Sequence, residues 1–322
     1  VNQDVAFQVA SAYYKLLTAQ ERLQATKDTL KTAQTTQDAA EAQLRNGRSS
    51  LPDVLNARAE TSQAVFDEES ADGDEKISRV GLRNAIGVEP SPDITIDAQK
   101  GDPLPQLLVL SIDELVERAL ADRPDLLAQA AEIRAADSEI RAAKAEYGPR
   151  ISFSGAAAQT SLWPTASFGQ LGSASKPTWS AAFDIQWRIF DGGARKHELT
   201  GAESRRREAQ DELTDRRDQA TREVWSSYIA FRTAIRKEQA AVALLESANS
   251  SYSASLDAYK YGVKNLVDVV TAEKQLALAR LSGVSARSEL FLQAVNLEFV
   301  TGNLLRSRPP ATKPPPPGVP KR

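Results

Sequence analysis

The sequence predicts a mainly α-helical fold with a small β part, duplicated within one chain, and three observations predict it. Residues 5–87 align on 220–302 at an offset of 215 without a gap, with 21 identities in 83 positions. Residues 195–260 are rich in Ala, Glu, Arg, Gln and Leu, with no Pro and one Gly, Gly201. From Trp179 to Ile189 the residues alternate strictly between apolar and polar.

Each element follows in chain order. In the repeat, matches such as Val9/Val224, Tyr13/Tyr228, Leu51/Leu266, Val54/Val269 and Leu82/Leu297 demand an element that tolerates no insertion, which rigid helices satisfy and loops do not. Residues 1–88 are therefore read as a helical hairpin with its tip near 47–53. Gly47 and Gly262 suit a left-handed position just past a helix end. Ser50 and Asn265, each followed three residues later by an acid (Asp53, Asp268), have the capping-box pattern. Residues 89–110 carry Pro90, Pro92, Pro103 and Pro105 and are expected to be an extended linker.

Residues 111–147 are read as one helix opening on a Ser111/Glu114 capping box, and Tyr147-Gly148-Pro149 ends it. Residues 148–193 then change period. Trp179, Ala181, Phe183, Ile185, Trp187 and Ile189 share one face of a strand; Asp184, Gln186 and Arg188 lie on the other. The partner strand begins at Ile151, and Ser161 to Pro177 reads as a loop with Trp163 and Phe168 as interfacial aromatics. Gly192 and Gly193 turn this segment into the next helix. Residues 194–305 form a second long hairpin with its tip near 259–268. Its first helix, about 65 residues, would run roughly 100 Å. Val224, Tyr228, Phe231, Ile235, Val242 and Leu245 give it the narrow apolar stripe of a coiled coil. Residues 306–322 form a Pro-rich tail that does not pack.

Composition removes several classes of function. Lys+Arg 40 against Asp+Glu 43 gives a formal net charge of −3 and no general reason to expect nucleic acid. The Arg205–Arg207 run is offset by neighbouring acids and reads as a solvated helix face. Without Cys there is no disulfide, thiolate metal site or thiol catalysis. The one His, His197, reads as a surface residue. No phosphate-cradling loop, metal-ligand spacing or nucleophile beside a base is present, so neither an enzyme nor a cofactor is expected. No window approaches the roughly 18 apolar residues a spanning helix needs. With no Met and no signal-like segment, the chain is expected not to begin at a translation start. The first repeat copy is expected to lack its opening, since 46 residues precede Gly47 whereas 69 separate Gly193 from Gly262.

The alternating strand supports two readings. It either covers the end of a helical bundle, or it faces lipid on one side and water on the other as a barrel wall. The second demands oligomerisation, because one hairpin cannot close a barrel and open edges are not tolerated in lipid.

Helix, strand pair and helix, duplicated in one chain, resemble the TolC-like outer-membrane efflux proteins. So do Asp122-Arg123-Pro124-Asp125-Leu126-Leu127-Ala128, Tyr147-Gly148-Pro149-Arg150-Ile151, Ile189-Phe190-Asp191-Gly192-Gly193 and the tip from Tyr259-Lys260-Tyr261-Gly262 through Leu266-Val267-Asp268-Val269. The resemblance covers about residues 5–305. It implies a homotrimer in the outer membrane of a Gram-negative bacterium, with four strands per protomer in a twelve-stranded barrel and a helical tunnel in the periplasm. The partners it implies are outer-membrane lipid, a periplasmic adaptor and an inner-membrane pump of an efflux or type I secretion system. The resemblance places the gate at Asp53, Tyr259 and Lys264, with Asp268 at the same tip. Lys264 stands where the family's best-known member has Arg, which removes bidentate pairing. For Asp53 and Asp268 helix capping is the competing role, for Tyr259 packing, and for Lys264 a solvated charge. Asp184 and Arg188 would line the lumen. The rival functions are a periplasmic adaptor, which needs flanking β-rich domains, and a structural coiled coil, which needs no alternating strand.

Overall fold

The computed structural model describes residues 2–88, 111–162 and 174–304. The expected linker, the tail after 304, and Trp163 and Phe168 lie outside the described residues. The elements are α1 (Asn2–Arg45), α2 (Leu51–Ile86), α3 (Ile112–Asp122), α4 (Pro124–Ala145), β1 (Arg150–Leu162), β2 (Ala174–Gln186), α5 (Ala194–Lys260) and α6 (Leu266–Val300). They fall into two compact units, residues 1–124 with 218–322, and residues 125–217. No described helix is long and apolar enough to cross a membrane.

The first unit is built from two helical hairpins, α1–α2 and the later part of α5 with α6. The buried positions repeat at the same offset as the sequence: Val54/Val269, Ala57/Ala272, Ala64/Ala279, Ala71/Ala286 and Leu82/Leu297. Val54 and Ala57 are three apart, and Ala64 and Ala71 follow at sevens, the heptad spacing of a coiled-coil seam. Many of these residues are Ala, which lets the helices approach closely. The core near the tips gathers Ala40, Val54, Tyr252, Tyr259, Val269 and Leu276. A second core far along the hairpins gathers Leu115 of α3, Val224 and Phe231 of α5, and Leu290 and Leu297 of α6. Ring stacking of Tyr14 on Phe291, centroids 5.2 Å apart, adds contact between α1 and α6.

The single helix expected over 111–147 is divided. α3 starts on the expected Ser111/Glu114 capping box but stops at Arg123, whose backbone is extended (φ −65, ψ 123). Pro124 forces this, because its ring crowds a helical conformation at the preceding residue and then opens α4 at its first position. Arg123 is held there by an ion pair to Glu223 at 2.6 Å.

In the second unit, α4 packs on the start of α5, with Arg206–Asp137 at 2.7 Å and Gln129 Nε2 donating to Glu212 at 2.8 Å. β1 and β2 form a two-stranded antiparallel sheet with Ile151 opposite Ile185, Phe153 opposite Phe183 and Ser152 opposite Asp184. This register puts Ile151, Phe153, Trp179, Phe183 and Ile185 on one face and Ser152, Ser154 and Asp184 on the other. The hairpin is longer at its far end than expected, since residues 161–162 and 174–177 belong to the strands. It is shorter at the near end, because β2 stops at Gln186 and Trp187–Ile189 leave the ladder.

Candidate functional site

The tips of the two hairpins carry most of the singled-out residues. At the first tip, Gly47 N–H donates to Leu44 O and Arg48 N–H to Gln43 O; at the second, Gly262 N–H donates to Tyr259 O and Val263 N–H to Ala258 O. This is one Schellman turn built twice at the repeat offset. Gly47 and Gly262 have φ of 68° and 76°, the left-handed conformation the turn requires.

The helices that leave the tips differ in their caps. Ser50 and Asp53 form the complete capping box: Ser50 N–H donates to Asp53 Oδ2 at 3.0 Å, and Asp53 N–H donates to Ser50 Oγ at 3.4 Å. Asp53 Oδ2 also accepts from Ser50 Oγ at 2.7 Å and Ser49 Oγ at 3.1 Å. These donors, the Ser50 side chain first and its backbone N–H next, hold the Asp53 carboxyl below the ordinary aspartate range. Asn265 caps the second helix by accepting from Asp268 N–H at 2.9 Å. The reciprocal bond from Asp268 expected of a capping box is not among the observed contacts, and the helix has the Asn cap alone.

Tyr259 is 5% exposed, packed in the tip core, and its hydroxyl donates to Ser49 Oγ at 3.3 Å. Ser49 in turn donates to Asp53, so Tyr259, Ser49 and Asp53 form one chain of hydrogen bonds across the two tips. Lys264 stands apart from it: exposed, with its ammonium donating to Ser255 Oγ at 3.3 Å. Within the chain, Asp53 and Lys264 show no ion pair among the described residues.

Gln43 was missed by sequence reasoning. It is buried on α1, and its Nε2 donates to Lys260 O at 2.7 Å and Tyr259 O at 3.3 Å. The last carbonyls of a helix have no partner of their own, and α1 supplies one to α5. The signal was present in two forms. Ala33, Thr36, Ala40 and Gln43 run along one stripe of α1, and the repeat has Ala258 where the first copy has Gln43.

In the second unit, Gly192 and Gly193 have φ of 63° and 93°, as expected of the strand-to-helix turn. Asp191 closes it, accepting from Gly193 N–H at 3.1 Å, from Arg195 N–H at 3.1 Å and from Arg195 Nε at 2.5 Å. The Arg195 guanidinium also donates to Glu146 O and Ile189 O and lies 5.1 Å from the Tyr147 ring centre. Trp187 Nε1 donates to Tyr147 O at 3.2 Å. The Tyr147-Gly148-Pro149 and Ile189–Gly193 motifs thus meet around one arginine. Asp184 lies on the polar face of β2. Arg188 lies two residues beyond the end of β2, so its expected place on the strand is corrected: the Trp187 bond and the Asp191 turn take the chain out of the ladder first. The apolar face of the sheet is open in the single chain, with Trp179 84% and Phe183 77% exposed. Among the described residues no group of His, Cys, Asp and Glu could hold a metal ion.

Comparison with known proteins matches this arrangement over most of the chain. The family model "Outer membrane efflux protein" matches residues 1–88 and 115–303. Protein CyaE of Bordetella pertussis is 27% identical over 311 residues, covering 95% of this chain and 64% of CyaE. Outer membrane protein OprJ of Pseudomonas aeruginosa is 29% identical over 184 residues, covering 57% of this chain and 37% of OprJ. The chain therefore spans less than two thirds of the length of these relatives. Among solved structures, a membrane protein from Pseudomonas aeruginosa superposes with a TM-score of 0.72 at 25% identity over 93% of this chain and 68% of its own. The outer membrane protein VceC from Vibrio cholerae superposes with a TM-score of 0.73 at 19% identity over 93% and 70%. The latter likeness shows the fold alone.

Proposed function

Because the chain belongs to the outer membrane efflux protein family, we propose that it is the channel subunit of a tripartite export system in a Gram-negative outer membrane. It acts as a homotrimer and a passive conduit, with an inner-membrane pump supplying the energy and a periplasmic adaptor docking at the helix tips. No residue is assigned a catalytic role and no cofactor is required.

The observation that carries this reading is the hairpin. A two-stranded sheet with an outward row of Ile151, Phe153, Trp179, Phe183 and Ile185 has no core to enter in its own unit, and both its edges lack a strand partner among the described residues. In lipid every backbone group must be paired, so such a hairpin is stable only inside a closed barrel to which other strands contribute. The apolar row then meets lipid, and Asp184 meets the water-filled lumen. The coiled-coil hairpins, with their hydrated outer positions and small-residue seam, suit the wall of a rigid tunnel.

The gate lies at the tips, where Asp53, Tyr259, Lys264 and Asp268 are grouped. The exposed Lys264 ammonium, bonded within the chain to Ser255, keeps further donors for a neighbouring protomer, while Asp53 and Tyr259 set the shape of the tip it meets. Opening is a rigid-body movement of the α5–α6 hairpin against its neighbours. The test is conductance of the purified full-length protein in a planar bilayer. A low-conductance pore whose leak rises in the Asp53→Ala, Lys264→Ala double variant supports both the channel and its gate. Absence of any pore, with release of the protein from membranes by carbonate, favours the adaptor reading instead.

A further inference from the structure

Between the two hairpins of the helical unit runs a buried polar seam that neither the repeat nor the tip turns explain. Glu273 of α6 is 5% exposed, and its Oε2 lies 2.6 Å from Thr36 Oγ1 of α1. Thr36 Oγ1 also lies 3.1 Å from the Tyr252 hydroxyl of α5 and 3.2 Å from the Thr32 carbonyl. The Tyr252 hydroxyl is 3.3 Å from that same carbonyl. Two turns along α6, Arg280 Nη1 donates to Thr32 Oγ1 at 3.0 Å and Thr29 Oγ1 at 3.3 Å. At the repeat offset, Glu273 and Arg280 correspond to Arg58 and Val65 of α2, both on its exposed side. Duplication therefore did not deliver this seam.

Counting protons favours the neutral carboxyl. Four contacts join Glu273, Thr36, Tyr252 and the Thr32 carbonyl, and each hydroxyl has one hydrogen. With Glu273 ionised, Thr36 and Tyr252 offer two hydrogens, so at most two contacts are hydrogen bonds. If Thr36 turns to the carboxylate, it gives up the Thr32 carbonyl. With Glu273 neutral there are three: Glu273 donates to Thr36, Thr36 to the Thr32 carbonyl, and Tyr252 to Thr36. The Thr32 carbonyl keeps its helical bond in either state, so the neutral acid adds one hydrogen bond to the seam.

We propose that Glu273 is held as a neutral carboxylic acid donating to Thr36, and that its ionisation as pH rises loosens α6 from α1. Burial favours this state: it pushes the Glu273 carboxyl and the Tyr252 hydroxyl up and the Arg280 guanidinium down. The charged groups facing the seam come from each helix around it. A hydrogen bond donated by the Thr36 hydroxyl opposes the neutral acid; of the charges, Glu60 of α2 favours it, while Lys274 and Arg280 of α6 oppose it. Lys274 is itself tied to Glu60 at 2.8 Å. Asp28 of α1 faces Arg280 and partly offsets its charge. A carboxyl whose folded pKa lies above its unfolded value stabilises the fold fully below the unfolded value. That contribution is lost as pH climbs through the folded one. The hairpin α5–α6 is thus gripped in acid and released in alkali. The seam concerns the helical unit alone; only its effect on opening rests on the channel reading, and the test below leaves that reading untouched.

The test uses the full-length protein in detergent with Glu21→Gln as background, because burial also raises the Glu21 carboxyl. Infrared titration from pH 4 to 9 should show a neutral carboxylic-acid band that persists above the ordinary glutamate range and is absent in Glu273→Gln. The thermal midpoint of the background protein should fall between pH 5 and 9 by roughly 2–4 °C more than that of Glu273→Gln, whose amide donates to Thr36 at every pH. A Glu273 band that vanishes within the ordinary glutamate range, or parallel midpoint profiles, would overturn the proposal. If Glu273→Gln fails to assemble, Thr36→Val replaces it: the acid then loses its acceptor, and an unchanged band frequency and titration would overturn the proposal.

Discussion

Replacing Gln43 by glutamate changes almost no volume but reverses the chemistry of the contact that joins the two tips. The Gln43 amide nitrogen donates to Lys260 O at 2.7 Å and Tyr259 O at 3.3 Å. In the Gln43→Glu variant, an ionised carboxylate oxygen would stand against those two carbonyls in a buried site. The cost has two parts: the lost hydrogen bond, about 1 kcal/mol net for the short contact, and the desolvated charge facing acceptors, about another 1–3 kcal/mol. Gln43→Leu loses only the first part. It also removes Gln43 Oε1, a buried oxygen with no partner, so its cost should sit near the lower end, about 0.5–1 kcal/mol. The folded-state pKa of the introduced carboxyl would be raised, because only the protonated acid can donate to Lys260 O. Its penalty should therefore be absent below the unfolded value and grow as pH rises through the folded one. Thermal melts of the purified full-length protein from pH 4.5 to 8 read this directly, at roughly 2–4 °C per kcal/mol. Gln43→Glu should melt below Gln43→Leu at pH 8 and approach or pass it at pH 4.5. Superimposable, pH-independent profiles for the two variants would refute the assigned geometry.

Other perturbations separate the remaining parts. Gly302→Ala should destabilise by more than the ~1–2 kcal/mol of a left-handed alanine, because φ is +75° and the new Cβ meets the backbone of Asp122 and Arg123 at 3.2 Å. Gly262→Ala, at φ +76° with nothing within 4 Å, should cost only that backbone term, about 1–2 kcal/mol, and denaturant midpoints compare the two. Asp53→Ala should lose about 1 kcal/mol of cap stability at pH 7. Since the Asp53 carboxyl is held low, its contribution is present above the unfolded pKa and fades in acid, so wild type and variant should converge toward pH 2. Asp184→Ala should shift the cation/anion permeability ratio toward anions without loss of trimers; a loss of trimers would assign Asp184 to packing.

The parts that sequence made legible are those that physics makes periodic or stereochemically exclusive. The coiled-coil seam repeats because Val54/Val269 and Ala57/Ala272 must each return to the same face, and the tip glycines are visible because their turns need positive φ. The break at Arg123–Pro124 was harder to read, since Ser111–Glu146 keeps a helical pattern across it and only the ring's effect on Arg123 divides it. The alternation through Trp187 and Ile189 overstated β2 because periodicity carries no information about when a competing contact, here Trp187 to Tyr147 and Asp191 to Arg195, takes the backbone away. Gln43 and Glu273 were the least legible: a polar residue on a core stripe looks like an interruption until its partners on another helix are known. Asp268 matched the capping pattern in sequence, yet only its backbone N–H takes part.

Electron microscopy of the full-length protein extracted in detergent tests the central claim most directly. The account predicts a three-fold hollow particle in which the β1–β2 hairpins of three protomers join other strands in one closed barrel, continued by a helical cylinder ending at the Gly47 and Gly262 turns. A monomer, or a solid rod with the Trp179–Ile185 face turned into its own core, would contradict it.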